Sequence, residues 1–590
     1  MNWNDLAGDS PGALAQLIDR LGSPSMLTEA GLALVITILA LAAPRLGGVF
    51  FGRIEQAAAP LLARPWRAIL FVGLLAVAAR AVFLPWLGPP SAAVHDEQSL
   101  LLQAQTYLQG RLANPTHPFW EHFETFHVNQ VPAYASMYFP GRSAPLAAGL
   151  LVAGEPWVGV WLSFVLMCMA AVWMLQAWVP APFALLGGVL LVIRFGVFSY
   201  WVNSYWGGAF TALGAMLVIG ALPRILRRPS WALGGTIGLG AAILMTTRSY
   251  EGMLLCIPVA VLLLARLLRP SWAGGRWQLL KTVVPATALV GAGGALLLAY
   301  NVATTGHALL TPYEVNRAAY AAAPAFLTSP PLQSQLRGPA YFRDFYRAEG
   351  RDYQRRYSTA GIGAGIAGKL FHNWNFYVGP LFTFALLAGL GAVRREGFLL
   401  GTLGFFMLGY ALVTWNFPHY TAPLLPVLLI IVMRGFMYLR GWQLRGRPVG
   451  LFLTRAMPAA AVATLLLPAA AVVFGVPRLN AEFTAQACCA IGQEGLRNRL
   501  IARLKNEPGR DLVLVKVGPH TPLHYEMVYN EPDIDRAEVV IARSLGDTRD
   551  RALLQHFADR RIWQFDWRPD LPEAYTLVPL SPQAIAAAPR

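Results

Sequence analysis

The chain has 590 residues, 56% of them hydrophobic and only 13% charged, with a mean hydropathy of +0.46 and a formal charge of +16. A disordered chain would be polar and poor in apolar residues, and a soluble enzyme would carry about twice as many charges, so both are excluded. The positive charge raises two possibilities, nucleic acid or membrane, and its position along the chain decides between them.

Residues 1–29 are mildly acidic (Asp5, Asp9, Asp19 and Glu29 against Arg20) and have no basic stretch before the first apolar run, so no cleaved signal peptide is expected. Crossing a bilayer takes about 20 apolar residues. Qualifying stretches lie at about 30–48, 68–88, 144–178 (long or broken), 183–200, 205–222, 231–248, 251–268, 282–300, 374–393, 398–415, 420–438 and 456–475. No repeat of 20–50 residues is present, and the two halves show no evident internal repeat.

One set of alternate loops holds 18 basic residues, from Arg45 to Arg455, against Glu55 and Glu396 alone. The opposite set (1–29, 89–142, 301–373 and 476–590) holds 26 basic and 27 acidic residues. Basic residues mark the cytoplasmic side, so both termini and every long loop are placed outside the cytoplasm. The +16 is therefore a topology signal, and no nucleic-acid partner is expected.

The first outward loop begins His95-Asp96-Glu97, followed by Leu100, Leu101, Ala104, Tyr107 and Leu108 at helical spacing, which predicts a short amphipathic helix lying on the membrane surface. Two readings fit Asp96 and Glu97: carboxylates capping a helix N-terminus, or a general base held at the membrane face. His117, Glu121, His122, Glu124 and His127 follow in a spacing that fits no standard metal site. Asn203–Gly208 is an aromatic turn in which Tyr205 and Trp206 either sit at the interface for amphipathic reasons or stack on a sugar. Arg248 and Glu251 share a helix face and either ease a turn or bind an anion, in which case Arg248, with Arg142 as a second candidate, would grip phosphate. Arg80 and Arg194 lie inside apolar runs and are expected to pair internally or snorkel. Loop 301–373 is basic, and its Tyr341–Tyr346 segment suggests a lid over the membrane or a solvated face.

The tail is charge-balanced, with 15 basic and 15 acidic residues. Asp511–Val517 and Ala537–Ala542 read as strands, and Leu496–Leu504 and Asp550–Phe557 as helices, which makes a small α/β unit with a parallel pair. Cys168 and Cys256 sit in apolar runs. The adjacent Cys488 and Cys489 match no metal or redox spacing, which leaves little for a redox pair.

A span followed by an outward Asp-Glu loop and a surface helix ending in Gly110 resembles the GT-C membrane glycosyltransferases. The likeness is to the protein-mannosyltransferase, aminoarabinose-transferase and lipopolysaccharide sugar-transferase branch, over about 66–440. Tyr138-Phe139-Pro140-Gly141-Arg142, Arg248-Ser249-Tyr250-Glu251 and His419-Tyr420-Thr421-Ala422-Pro423 extend it. The resemblance implies a polytopic α-helical membrane protein of the inner membrane with about twelve transmembrane helices. The expected parts are an outward segment and extra helix (1–65), a GT-C-like domain (66–475) and a small periplasmic α/β domain (476–590). It implies inverting transfer of a hexose or pentose from a polyprenyl-phosphate donor to an envelope lipid, glycan or protein. Asp96 would be the base and Glu97 would help position acceptor or donor, while His95, Arg142, Tyr205, Trp206, Arg248, Glu251, His419 and Tyr420 would bind substrate. No cofactor is implied, and a divalent metal stays open. The family's proline-rich loop end is replaced here by Phe-Pro-Gly-Arg, and the tail has no counterpart. A lipid or glycan flippase is the rival reading, and a non-catalytic scaffold a third.

Overall fold

A computed structural model describes residues 24–92, 94–267, 276–475, 495–516, 526–568 and 575–580. Both chain termini and Cys488-Cys489 lie outside these residues. Among those described, seven helices are long and apolar enough to cross a membrane, or up to nine if two bent pairs each count as one span. The pairs are Gly48–Leu62 with Pro65–Ala81, bent by 114°, and Gly361–Tyr377 with Gly379–Ala392, bent by 102°. Three further apolar helices, Ala181–Phe195, Trp231–Thr247 and Gly397–Ala411, are shorter. The chain is a multi-pass membrane protein. Leu34, Leu74, Val261, Leu387, Leu408 and Leu466 stay exposed around the bundle, as lipid rather than water requires.

Local chemistry sets the breaks. Pro65 opens its helix at the first position, where its missing N–H is no loss. The long apolar run at 144–178 splits into Ala144–Ala153 and Pro156–Leu175 at Gly154, whose φ of 68° suits glycine. The two pieces fold back tightly, and a Cβ on Gly159 would collide with the Pro145 carbonyl.

The tail contains a four-stranded sheet. Its strands are β3 (Asp511–Lys516), β4 (Val539–Arg543), β5 (Arg561–Trp567) and β6 (Tyr575–Pro579), after the two-residue β1 (Val128–Asn129) and β2 (Ala135–Ser136) of the first loop. The order is β4-β3-β5-β6, with β3 parallel to both neighbours and β6 antiparallel at one edge. Alternation along the strands sorts their side chains onto two faces. Val513, Val515, Val539 and Ile541 pack under the helix Leu496–Lys505 through Leu496, Leu500 and Leu504. Leu512, Leu514, Val540 and Ala542 pack instead against Leu102, Phe123, Val128 and Tyr134 of the loop 89–142.

That second contact corrects the expectation of a surface helix. His95–Leu108 is helical, but it is not laid on a membrane: Leu100 and Ala104 belong to the core of the membrane bundle, and Leu102 to the core under the tail's sheet. The helix is sandwiched because the tail covers the face that the sequence left open to water. Loop 301–373 is also shorter than expected, since one helix runs to Thr305 and another begins at Thr359. Tyr341, Phe342 and Tyr346 form no lid over the membrane. They pack on Phe126 and are held down by a buried Arg317–Glu349 pair at 2.7 Å.

Candidate active site

The helix His95–Leu108 presents its first turn at the meeting point of bundle, loop and tail. Glu97 is fully buried and fixes that turn from both sides. Its Oε2 accepts the Val94 N–H at 3.0 Å and its Oε1 accepts the Tyr205 N–H at 2.8 Å, tying the helix to the aromatic turn. Both carboxylate oxygens thus serve the backbone, so the geometry gives Glu97 an architectural place.

Asp96 is bound differently. Its Oδ1 accepts a short hydrogen bond from the Tyr138 hydroxyl, and its Oδ2 lies 3.6 Å from His127 Nδ1. Tyr138 also contacts His127 Nδ1 at 3.2 Å. Burial, and then the Asp96 charge, pushes the Tyr138 hydroxyl well above its ordinary value, so it remains a proton donor. Burial likewise lowers His127 despite Asp96, which favours a neutral imidazole. Spacing offered no sign of His127 or Tyr138 as partners of Asp96; what joins them is the β1–β2 turn, which returns Tyr138 to the helix. His95 Nδ1 lies 3.0 Å from the Tyr529 hydroxyl of the tail.

Beyond Tyr138 the site turns cationic. The Arg142 guanidinium lies over the Tyr138 ring at 4.4 Å, and Arg248 over Tyr420 at 3.8 Å. A small cleft is lined by Arg142, Tyr205, Trp206, Thr247, Arg248 and His419, among others. Five of the residues singled out in the sequence thus share one cavity, although they come from four separate stretches of chain. Neither Asp96 nor Tyr138 lines this cleft; Tyr138 stands between Asp96, to which it donates, and Arg142, which does line it. Glu251 stands 3.9 Å from Arg248, too far for a hydrogen bond. Two buried donors, Arg248 Nη2 and Trp206 Nε1, have no hydrogen-bond partner among the described residues. Burial and then Arg248 depress the Arg142 guanidinium from its ordinary value, a strain that an anion would relieve. His419 Nδ1 contacts Tyr200 at 3.1 Å, and the Tyr205 hydroxyl donates to the Pro90 carbonyl at 2.9 Å.

The other charged residues are engaged elsewhere. Arg80 donates to Asn203 and Gly88, and Arg194 pairs with Glu29 at 2.8 Å. The histidines and acids of the first loop do not converge on one another: Glu121 meets Arg549, His122 the Arg543 carbonyl, and Glu124 the Tyr320 hydroxyl. His117 joins Asp535 and His556, a trio with ligand atoms within 4.8 Å of one another. The donor set fits a metal poorly. His117 Nδ1 accepts the Phe119 N–H at 3.0 Å, which leaves the neutral ring's proton on Nε2, the nitrogen facing Asp535. Arg510 and Arg560 also converge on the Asp535 carbonyl.

No protein-family model and no curated protein matches the chain. Solved structures do. ArnT from Cupriavidus metallidurans, bound to undecaprenyl phosphate, is matched at 13% identity and a TM-score of 0.48, over 87% of this chain and 98% of that one. The Archaeoglobus fulgidus oligosaccharyltransferase, tethered with an acceptor peptide, is matched at 12% identity and a TM-score of 0.47, over 86% and 69%. Likenesses this distant do not say what this chain acts on; the chemistry has to come from its own residues.

Proposed function

We propose that this protein is a GT-C-type glycosyltransferase that moves a sugar from a polyprenyl-phosphate donor to an acceptor at the outer membrane face. The observation that carries the reading is a cleft lined by two arginines with an unmet buried donor, next to a carboxylate clamped by Tyr138. The donor's phosphate would enter the cleft, where Arg248 and Arg142 supply guanidinium forks for its oxygens. Asp96 would accept the proton of the acceptor hydroxyl or amine. As that nucleophile bonds to the anomeric carbon, the sugar–phosphate bond breaks and its electron pair leaves with the polyprenyl phosphate, held by the arginines. Attack opposite the leaving group inverts the anomeric centre. Tyr138, bonded to one Asp96 oxygen, orients the other. Trp206, Tyr205, His419 and Tyr420 would shape the cleft for donor, and no metal is needed for this balance. The reading places the protein in the inner membrane with the site and both termini outside the cytoplasm.

Replacing Asp96 by Asn tests it. Purified in lipid nanodiscs and supplied with polyprenyl-phosphate sugars, the variant should lose at least about 100-fold in transfer, the usual scale for a general base. Binding of polyprenyl phosphate should be unchanged. Undiminished transfer would overturn the assignment, and lipid translocation in vesicles without any transfer would favour the flippase.

A further inference from the structure

The segment Glu526–Asn530 of the tail reaches the helix that carries Asp96, through the contact of Tyr529 with His95. It crosses from the sheet to the first outward loop, and several bonds fix its position. Asn530 Nδ2 and Oδ1 bond the Ile541 carbonyl and N–H of β4, both at 2.8 Å. The Tyr134 hydroxyl of the loop donates to the Asn530 carbonyl at 2.9 Å, and Arg497 Nε donates to the Tyr529 carbonyl at 3.2 Å. Glu526 Oε2 accepts from Arg543 at 2.8 Å and from the Tyr341 hydroxyl, while Arg543 reaches the Glu124 carbonyl at 3.0 Å. Tail, first loop and second loop are thus locked together by buried polar contacts.

This frame delivers one side chain to the catalytic turn. The Tyr529 ring is buried and roughly parallel to the His95 ring, with centroids 6.4 Å apart, and its hydroxyl meets His95 Nδ1 at 3.0 Å. His95 is also packed on Phe126 at 5.0 Å and precedes Asp96 directly. The imidazole is therefore held by an aromatic face from the loop and by a hydroxyl from the tail, and the backbone it anchors is the one that aims Asp96.

We infer that Tyr529 is a positioning residue, fixing the His95 ring and thereby the Asp96 carboxylate, so that the tail is a working wall of the active site. This rests on the reading of Asp96 as base. Reactive groups placed about 1 Å off lose rate steeply, so a single hydroxyl at this distance is enough to matter.

The test is Tyr529→Phe in the full chain, which keeps the ring and removes only the hydroxyl. Turnover should fall about tenfold while the donor KM stays within twofold of the parent. With 15N-labelled histidine, assigned by His95→Gln, the His95 nitrogen resonances should move in Tyr529→Phe. The double variant should turn over no more slowly than His95→Gln alone, since both remove one interaction. Leu512→Ala, which loosens the same interface without touching His95, should leave those resonances in place and turnover within twofold. Unmoved resonances, additive losses, or an equal loss in Leu512→Ala would each overturn the inference. If the parent itself transfers no sugar, the transfer reading fails separately, and the His95 resonances still decide whether Tyr529 holds the ring.

Discussion

Two buried arginine–glutamate pairs show how alike two cations can look when only one has its hydrogen bonding completed within the chain. In Arg194–Glu29 the side chains are 10% and 8% exposed, and in Arg248–Glu251 they are 12% and 8% exposed, so burial does not separate them. Bonding does. Arg194 Nη1 meets Glu29 at 2.8 Å, Nε donates to the Phe376 carbonyl at 2.8 Å, and Nη2 donates to the Asn375 carbonyl. Arg248 stands 3.9 Å from its glutamate, leans on the Tyr420 ring, and leaves Nη2 unmatched beside a cleft. A guanidinium has five N–H donors on three nitrogens, and the two arginines differ in how many of those nitrogens the chain itself occupies. Each Arg194 nitrogen has an acceptor within the chain, whereas Arg248 Nη2 has none among the described residues.

The largest effect that could break this contrast is on stability. Arg194→Met would leave Glu29 buried without its cation and should destabilise the protein by about 3–5 kcal/mol, read as a lower unfolding temperature in detergent. Glu29→Leu in the same chain should recover much of that, because an apolar pair avoids the desolvation. Polyprenyl-phosphate affinity should follow neither change. If Arg194→Met instead weakened lipid-phosphate binding and left stability intact, the two pairs would be assigned the wrong way round.

Arg248→Met should do the reverse. Charge-assisted hydrogen bonds contribute about 1.5–3 kcal/mol each, so polyprenyl phosphate should bind roughly 10- to 100-fold more weakly, with little loss of unfolding temperature. Arg248→Lys should fall between, because it keeps a charge and loses the fork. Glu251→Gln removes only a loose partner and should change that affinity by about twofold or less. Equilibrium binding of a fluorescent polyprenyl phosphate ranks all three.

Which of these features the sequence displays follows from what each depends on. Arg142, Tyr205, Trp206, Arg248 and His419 stand out because polar and aromatic residues at the ends of apolar runs break a strong pattern. The valine-rich runs at 511 and 539 read as strands for a similar reason, and they are parallel neighbours in the sheet. The place of His95–Leu108 is not legible, because its apolar spacing is the same whether a membrane or a sheet covers it. Nor is Tyr529, which meets His95 across 434 residues of chain with no local pattern to announce it. Glu97 is ambiguous from sequence alone: an acid at a helix N-terminus serves capping and catalysis equally well. Only its two backbone donors, one of them on Tyr205, separate the roles.

The smallest expected effect concerns His419, which lies in the cleft beside Arg248. Burial, followed by the charges of Arg248 and Arg142, holds its imidazole well below the ordinary value of 6.5. The unfolded chain takes up this proton near pH 6.5, whereas the folded chain does so only at lower pH. The contribution of His419 to stability is therefore complete above about pH 6.5 and shrinks as pH falls toward its folded value. Removing one of the two cations raises that folded value and narrows the window. Arg248→Met should accordingly lose less unfolding temperature than the parent between pH 7 and pH 5, and the His419 ring should titrate at higher pH by NMR. Arg194 does not figure among the charges that depress His419, so Arg194→Met should leave the titration where it was. Equal shifts in both variants would show that the field in the cleft comes from the bundle as a whole. The contrast between the two arginines would then be one of hydrogen bonding alone.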